Sequence, residues 1–132
     1  MRAQESGSIV NISSVAAVAS SIPLTAYKIS KAGINALTHS LAIANAKEGI
    51  RVNAIMPGLL DTPNGGRCPG RCAAGPARGD RGAARRPVPL RGRMGTGWDV
   101  AYASRFLHSD EAGFITGVVL PVDGGQLARV GG

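Results

Sequence analysis

Residues 7–12 read GSIVNI and residues 50–56 read IRVNAIM, and these two segments, with the stretch between them, decide the fold. Short runs rich in β-branched residues are typical of buried strands in a parallel sheet. Between them, apolar residues recur at helical spacing and predict a helix from Leu24 to about Lys47, ended by Gly49. Strand, helix and strand in this order predict a βαβ unit.

The C-terminal part of the chain continues the same alternation. Thr96 and Asp99 have the spacing of a capping box, which predicts the start of a second helix. Residues from Phe114 to Val122 predict a third strand, interrupted at Gly117. The fold class is therefore α/β, with a parallel sheet of about three strands covered by helices. Because so small a sheet leaves an edge exposed, we expect that further strands, in an N-terminal half, are missing from this chain.

The net charge of +7 is concentrated in one segment. Residues from Asn64 to Arg86 contain six arginines, one acidic residue (Asp80), and no Leu, Ile, Val, Phe or Met. Such a composition cannot bury enough apolar surface to fold, so we expect an irregular, disordered segment within a single partial domain of residues 1–132. A frameshift in a GC-rich gene is our hypothesis for its origin. The segment lacks interleaved aromatic residues and any binding motif, so nucleic acid is not an expected partner.

Neither a metal site nor a membrane span is expected. The two cysteines, Cys68 and Cys72, form a lone C-x-x-x-C pair, which is poor evidence for zinc. No run reaches the ~20 consecutive apolar residues of a membrane span. The polar residues 1–5 do not resemble a signal peptide, so the expected location is the cytoplasm.

Three residues form a candidate catalytic constellation. Tyr27 and Lys31 are four residues apart on the predicted helix and share one face. Ser14 follows the first strand at its carboxyl end, where open α/β sheets bind ligands. A free phenol, with a pKa of about 10, exchanges protons poorly near neutral pH, but a nearby ammonium favours the phenolate. Such a pair can act as a general acid or base, while a serine hydroxyl holds the substrate oxygen on which charge develops.

Several motifs resemble the short-chain dehydrogenase/reductase family in order and spacing. They are NISS at residues 11–14, YKISKA at 27–32, RVNAIMPG at 51–58, RMG at 93–95 and ITGVVLPVDGG at 115–125. The resemblance covers about residues 7–62 and 88–126. It implies a partial Rossmann-like, doubly wound sheet, of which this chain holds the C-terminal, catalytic half.

The resemblance also implies roles for the candidate catalytic residues. Tyr27 would be the catalytic acid or base, and Ser14 would polarise the substrate carbonyl or hydroxyl. Lys31 would favour the phenolate of Tyr27 and bind the nicotinamide ribose. Ser13 is the alternative serine, but the thirteen-residue spacing from Ser14 to Tyr27 favours Ser14. Since no side chain supplies hydride, a cofactor, NAD or NADP, is implied.

Cofactor contacts are implied for a second group of residues. Tyr27, Lys31, the backbone at Pro57 and Gly58, and the side chain of Thr62 would face the nicotinamide end. Two other polar residues are expected to be structural. Asn53 is predicted to pack or form local hydrogen bonds, and Asp123 is predicted to be a turn residue.

The function implied is NAD(P)-dependent oxidation or reduction of a small carbonyl or alcohol substrate. Self-association through the helix that carries Tyr27 is also implied by the resemblance. No Gly-x-x-x-Gly-x-Gly turn follows a strand at the start of this chain, so the alternative is an inactive fragment without the cofactor-binding half.

Overall fold

A computed structural model describes residues 1–19, 24–62 and 88–129 of the chain. Its centre is a three-stranded parallel sheet made of β1 (Gly7–Ile12), β2 (Ile50–Pro57) and β5 (Val119–Val122), with β2 in the middle. The α/β class and the βαβ unit predicted from the sequence are confirmed. The segment predicted to be disordered, 64–86, lies outside the described residues.

The long helix α1 (Thr25–Asn45) connects β1 to β2 and packs on the sheet. The sequence predicted a helix from Leu24 to about Lys47, and the observed helix differs from this by one residue at its start and two at its end. A 3-10 turn, Ala46–Glu48, follows it. Gly49 then adopts the left-handed conformation, φ +66°, that a glycine at a helix end accepts at low cost. Inside the helix, the buried Thr38 hydroxyl accepts a hydrogen bond from Asn11 Nδ2 of β1 at 3.0 Å. This contact fixes the helix on the strand that precedes it.

The central strand β2 supplies more buried apolar residues than any other described element. Val52, Ala54 and Ile55 have no exposed surface, and the second helix contributes Leu107. A strand flanked by partners on both edges and covered on both faces is apolar almost throughout, as the sequence of residues 50–56 indicated. The burial of this strand is what stabilises the sheet.

A second helix, α2 (Gly97–His108), starts where the capping box predicted. The Asp99 carboxylate accepts hydrogen bonds from Thr96 N at 2.6 Å and Thr96 Oγ1 at 2.8 Å. These two hydrogen bonds hold the pKa of the Asp99 carboxyl below its ordinary value of 3.8, and the bond from the backbone N–H has the larger effect. At the other end, Arg51 donates to Leu107 O at 2.7 Å and to Ser109 O at 3.0 Å. A cation at the helix C-terminus satisfies carbonyls that have no partner inside the helix.

The third strand is shorter than the sequence predicted. The prediction of a strand from Phe114 is wrong for residues 114–118, because β5 comprises only Val119–Val122. Backbone bonds to β2 are still present there, from Gly117 N to Val52 O and from Ala54 N to Val118 O at 2.8 Å each. The Asn53 side chain adds two more, donating to Ile115 O at 2.9 Å and accepting from Val118 N at 3.1 Å. Gly117 has φ +74°, so the chain turns instead of extending. Phe114 is left fully exposed.

Two strands of two residues each were not predicted. β3 (Leu60–Asp61) follows β2, and β4 (Gly95–Thr96) precedes α2, and the two pair in parallel. This pairing connects the segment that follows β2 to the residues at the start of α2. Within the described residues, the outer edges of β1 and β5 have no partner strand. No helix in this part of the chain combines the length and the hydropathy that a bilayer crossing requires.

Candidate active site at the carboxyl edge of the sheet

The carboxyl ends of β1 and β2 lie side by side and form the floor of the candidate site. Ile12 pairs with Ile55, and Ser13 N continues the ladder by donating to Ile55 O at 2.8 Å. The same register brings Ser14 to the level of Pro57, the last residue of β2. Parallel strands therefore bring these two candidate residues, 43 positions apart, to one edge, as the sequence predicted.

Helix α1 adds Tyr27 and Lys31 to this edge. The Lys31 ammonium lies 5.7 Å from the centroid of the Tyr27 ring. It donates a hydrogen bond of 2.9 Å to Ile12 O, two residues before Ser14. The ammonium thus joins the helix face to the end of β1. Tyr27 is 43% exposed, so its phenol remains open to a ligand.

The two serines after β1 have different surroundings. Ser13 is buried, and its hydroxyl donates to Lys31 O at 3.1 Å, which ties the strand end to α1. Ser14 is half-buried, and its Oγ accepts a hydrogen bond from Ala16 N at 3.2 Å. An oxygen that accepts a backbone N–H keeps its own hydrogen available for another acceptor. Among the described residues the hydroxyl of Ser14 therefore has no acceptor, whereas that of Ser13 is engaged.

The remaining predicted cofactor contacts follow β2. Gly58 N donates to Val122 O at 3.0 Å, and this bond carries the ladder to β5 one residue beyond β2. A Cβ at position 58 would lie 2.7 Å from Asp123 Cα, so the close approach of the two backbones needs glycine. Thr62 is exposed and is the last described residue of this segment, four residues beyond Gly58. Pro57 and Gly58 thus lie at the site edge, and Thr62 lies farther along the same segment.

Two polar residues that were expected to be structural behave as such. Asp123 holds a turn, its carboxylate accepting from Gly125 N and Leu127 N, each at 2.8 Å. Asn53 is fully buried and forms hydrogen bonds, but its partners Ile115 and Val118 lie across the sheet and are not local in sequence. Within residues 1–19, 24–62 and 88–129, no three His, Cys, Asp or Glu side chains are grouped as a metal site would require. The pair Cys68 and Cys72 lies outside these residues.

Sequence reasoning missed three contacts that shape the site. They are the bond of Lys31 to Ile12 O, the bond of Ser13 to Lys31 O, and a bond of 2.7 Å from Leu59 N to Gln126 Oε1. Each joins a side chain to the backbone of another element, and no spacing in the sequence signals such a bond. For the third contact, the pair Pro57-Gly58 was the one sign in the sequence that another part of the backbone comes close to this segment.

Comparison with known proteins gives a consistent family. The family profile described as enoyl-(acyl carrier protein) reductase, a short-chain dehydrogenase/reductase profile, matches residues 1–126. The cis-4-hydroxycyclohexanecarboxylate dehydrogenase of Sinomonas cyclohexanicum is 41% identical over 128 residues, which are 97% of this chain and 48% of that protein. The 3-oxoacyl-[acyl-carrier-protein] reductase FabG of Thermotoga maritima is 39% identical over 92% of this chain and 46% of its own length.

A solved structure agrees with these relatives. It is that of an Agrobacterium tumefaciens protein assigned as a 2-deoxy-D-gluconate 3-dehydrogenase, with bound NADP. It superposes with a TM-score of 0.82 and 38% identity, over 97% of this chain and 50% of that one. The chain therefore spans about half the length of the proteins it matches. The profile match over almost all of its residues shows that the chain belongs to the short-chain dehydrogenase/reductase family.

Proposed function

We propose that this chain supplies the acid–base half of an oxidoreductase that interconverts a small-molecule carbonyl and its alcohol with NAD or NADP. The observation that carries the proposal is the position of Lys31. Its ammonium lies 5.7 Å from the Tyr27 ring centroid and is held by Ile12 O at the end of the strand that leads to Ser14. A cation fixed beside an exposed phenol at the ligand-binding edge of a parallel sheet suits proton transfer.

Tyr27 is the proposed proton donor and acceptor. In the direction of reduction, its hydroxyl gives a proton to the carbonyl oxygen while the carbonyl carbon receives hydride. The Lys31 ammonium stabilises the phenolate that remains. In the direction of oxidation the phenolate removes the proton of the alcohol, so the two directions use the same group.

Ser14 is proposed to hold the reacting oxygen. Its Oγ accepts from Ala16 N, which leaves the hydroxyl hydrogen to donate to the substrate oxygen as negative charge develops there. The engaged hydroxyl of Ser13 supports Ser14 over its neighbour. A donor that the backbone already orients loses little freedom when the substrate binds.

The edge also fits the nicotinamide end of a dinucleotide. When bound, that cofactor supplies or accepts the hydride. Lys31 is a donor suited to ribose hydroxyls, and the backbone at Pro57 and Gly58 is proposed to face the ring, with Thr62 beyond it. The NADP bound to the Agrobacterium tumefaciens protein supports the cofactor class.

The test is the replacement of single hydroxyls. Tyr27→Phe is expected to lower NADPH-dependent reduction of a probe ketone, 4-oxocyclohexanecarboxylate, by a factor of about 10² or more, because general acid catalysis is worth roughly this much. Tyr102→Phe removes the same hydroxyl from α2 and is the matched control, with no change expected. The assay is the consumption of NADPH at concentrations up to the millimolar range. Activity that survives in Tyr27→Phe, or falls equally in Tyr102→Phe, refutes the assignment.

We also propose that the chain self-associates through α1. Ile29, Leu37 and Ile43 are exposed, Ile43 by 80%, and they lie within one side of the helix. Apolar side chains grouped on one face are typical of an interface. Ile43→Lys is expected to lower the molar mass measured by light scattering on a sizing column, and Lys47→Glu, at the exposed end of the same segment, serves as a control. A monomer in the parent chain contradicts the proposal.

A further inference from the structure

The backbone segment that leaves β2 is held by a side chain that the proposed mechanism does not use. Gly58 N still bonds within the sheet, to Val122 O at 3.0 Å. The next donor, Leu59 N, lies beyond the ladder. It donates to Gln126 Oε1 at 2.7 Å, in a part-buried setting 67 residues away along the chain. A buried N–H needs such an acceptor, since a free one costs about 1–3 kcal/mol.

The absence of a side chain at Gly58 makes room for this contact. A Cβ at this position would meet Gln126 Oε1 and would lie 2.7 Å from Asp123 Cβ. The glutamine amide therefore occupies the space next to the Gly58 backbone. The path of residues 57–59 and the position of the Gln126 side chain depend on each other.

Gln126 is itself carried by a turn with several hydrogen bonds. The Asp123 carboxylate accepts from Gly125 N and Leu127 N at 2.8 Å each, and Gln126 N donates to Asp123 O at 3.3 Å. Leu59 O, in turn, accepts from Gly95 N at 3.0 Å. The peptide groups around Leu59 are thus fixed on one side by the C-terminal turn and on the other by β4.

We propose that Gln126 is a positioning residue that fixes the backbone of Pro57, Gly58 and Leu59 in the orientation that faces the nicotinamide. This inference rests on the proposed function, in which Pro57 and Gly58 form that contact. Gln126 does not touch the cofactor; it acts through the Leu59 N–H. The property that matters is an acceptor oxygen at the end of a side chain of this length.

The experiment compares Gln126→Met, which keeps the length and removes the oxygen, with Gln126→Glu, which keeps an acceptor. Gln4→Met makes the same change at an exposed site and is the control. Hydrogen exchange of the Leu59 amide, followed by NMR, reports the contact without any need for activity. We expect exchange about five- to tenfold faster in Gln126→Met, as for the loss of one hydrogen bond, and rates near those of the parent in Gln126→Glu and Gln4→Met.

The same spectra, recorded during a titration with NADPH, give its Kd from the shifts of the Gly58 and Leu59 amides. We expect a several-fold weaker Kd in Gln126→Met and recovery in Gln126→Glu. Parent-like protection of Leu59 in Gln126→Met overturns the positioning role. Lost protection with an unchanged Kd overturns its connection to the cofactor. If NADPH shifts no resonance near Gly58 in the parent, the proposed function fails, while Leu59 exchange still tests the Gln126 contact separately.

Discussion

Replacement of Asn53 by leucine tests how much its side chain contributes to holding residues 115–118 against β2. Leucine has a similar size and no polar atom, so the change leaves the packing volume nearly constant. It removes the donor to Ile115 O and the acceptor for Val118 N. Since Asn53 has no exposed surface, water cannot replace either contact without opening the sheet.

The expected loss follows from these two bonds. A buried backbone group deprived of its partner costs about 1–3 kcal/mol, so the loss of two partners in Asn53→Leu should lower the free energy of unfolding by about 2–6 kcal/mol. This loss is a large share of the total free energy of unfolding of an ordinary domain, which is roughly 5–15 kcal/mol. Asn53→Asp keeps an oxygen for Val118 N but turns a second oxygen toward Ile115 O. At neutral pH it buries a charge, so it should be at least as destabilising.

Urea unfolding followed by far-UV circular dichroism is the suitable assay. Fluorescence would report poorly, because Trp98 is 69% exposed in the folded chain. Asn45→Leu is the control, since Asn45 is half-buried and bonds within α1 to Leu41 O and at the surface to Arg2. A loss within about 0.5 kcal/mol in Asn53→Leu, the range of ordinary surface changes, would show that these two hydrogen bonds contribute little to stability.

Two further predictions concern the capping box and the cofactor. Hydrogen bonds from Thr96 lower the pKa of Asp99 in the folded chain, so the ionised carboxylate stabilises the folded state at a pH above the ordinary pKa of 3.8. This stabilisation is lost as the pH falls below that pKa. Asp99→Asn should therefore flatten the dependence of unfolding on pH in this acid range, measured by denaturant titration, and an unchanged slope would contradict the assignment. The sequence of residues 1–132 has no Gly-x-x-x-Gly-x-Gly motif of the kind that binds a pyrophosphate, so a polypeptide of these residues should bind NADPH weakly, with a Kd of about a millimolar. Saturation of NADPH fluorescence at low micromolar protein would show that other groups supply the missing binding energy.

The sequence predicted the parts of the fold that depend on local periodicity. The runs at residues 7–12 and 50–56 became the two adjacent strands, and the helical spacing between them became α1, within two residues of the predicted ends. The capping box at Thr96 and Asp99 was also correct. These features depend on residues three or four positions apart, or on a short run of β-branched residues, so they can be recognised in the sequence.

The candidate site was predictable only as a set of residues. Tyr27 and Lys31 share a helix face by spacing alone, and Ser14 follows a strand. Nothing in the sequence placed the Lys31 ammonium on Ile12 O. The spacing to Tyr27 favoured Ser14 over Ser13, but it did not show that the Ser13 hydroxyl is engaged by α1. That choice depends on which side of the strand end faces α1.

By itself, then, the sequence determined the α/β alternation, the helix that carries Tyr27 and Lys31, and the capped start of α2. The tertiary structure alone decided the length of β5, the environment of each serine and the place of Gln126. The physical reason is the distance along the chain between bonding partners. Asn53 meets Ile115 and Val118, and Gln126 meets Leu59, across 62–67 residues, and such contacts exist only after the sheet has set the register of its strands.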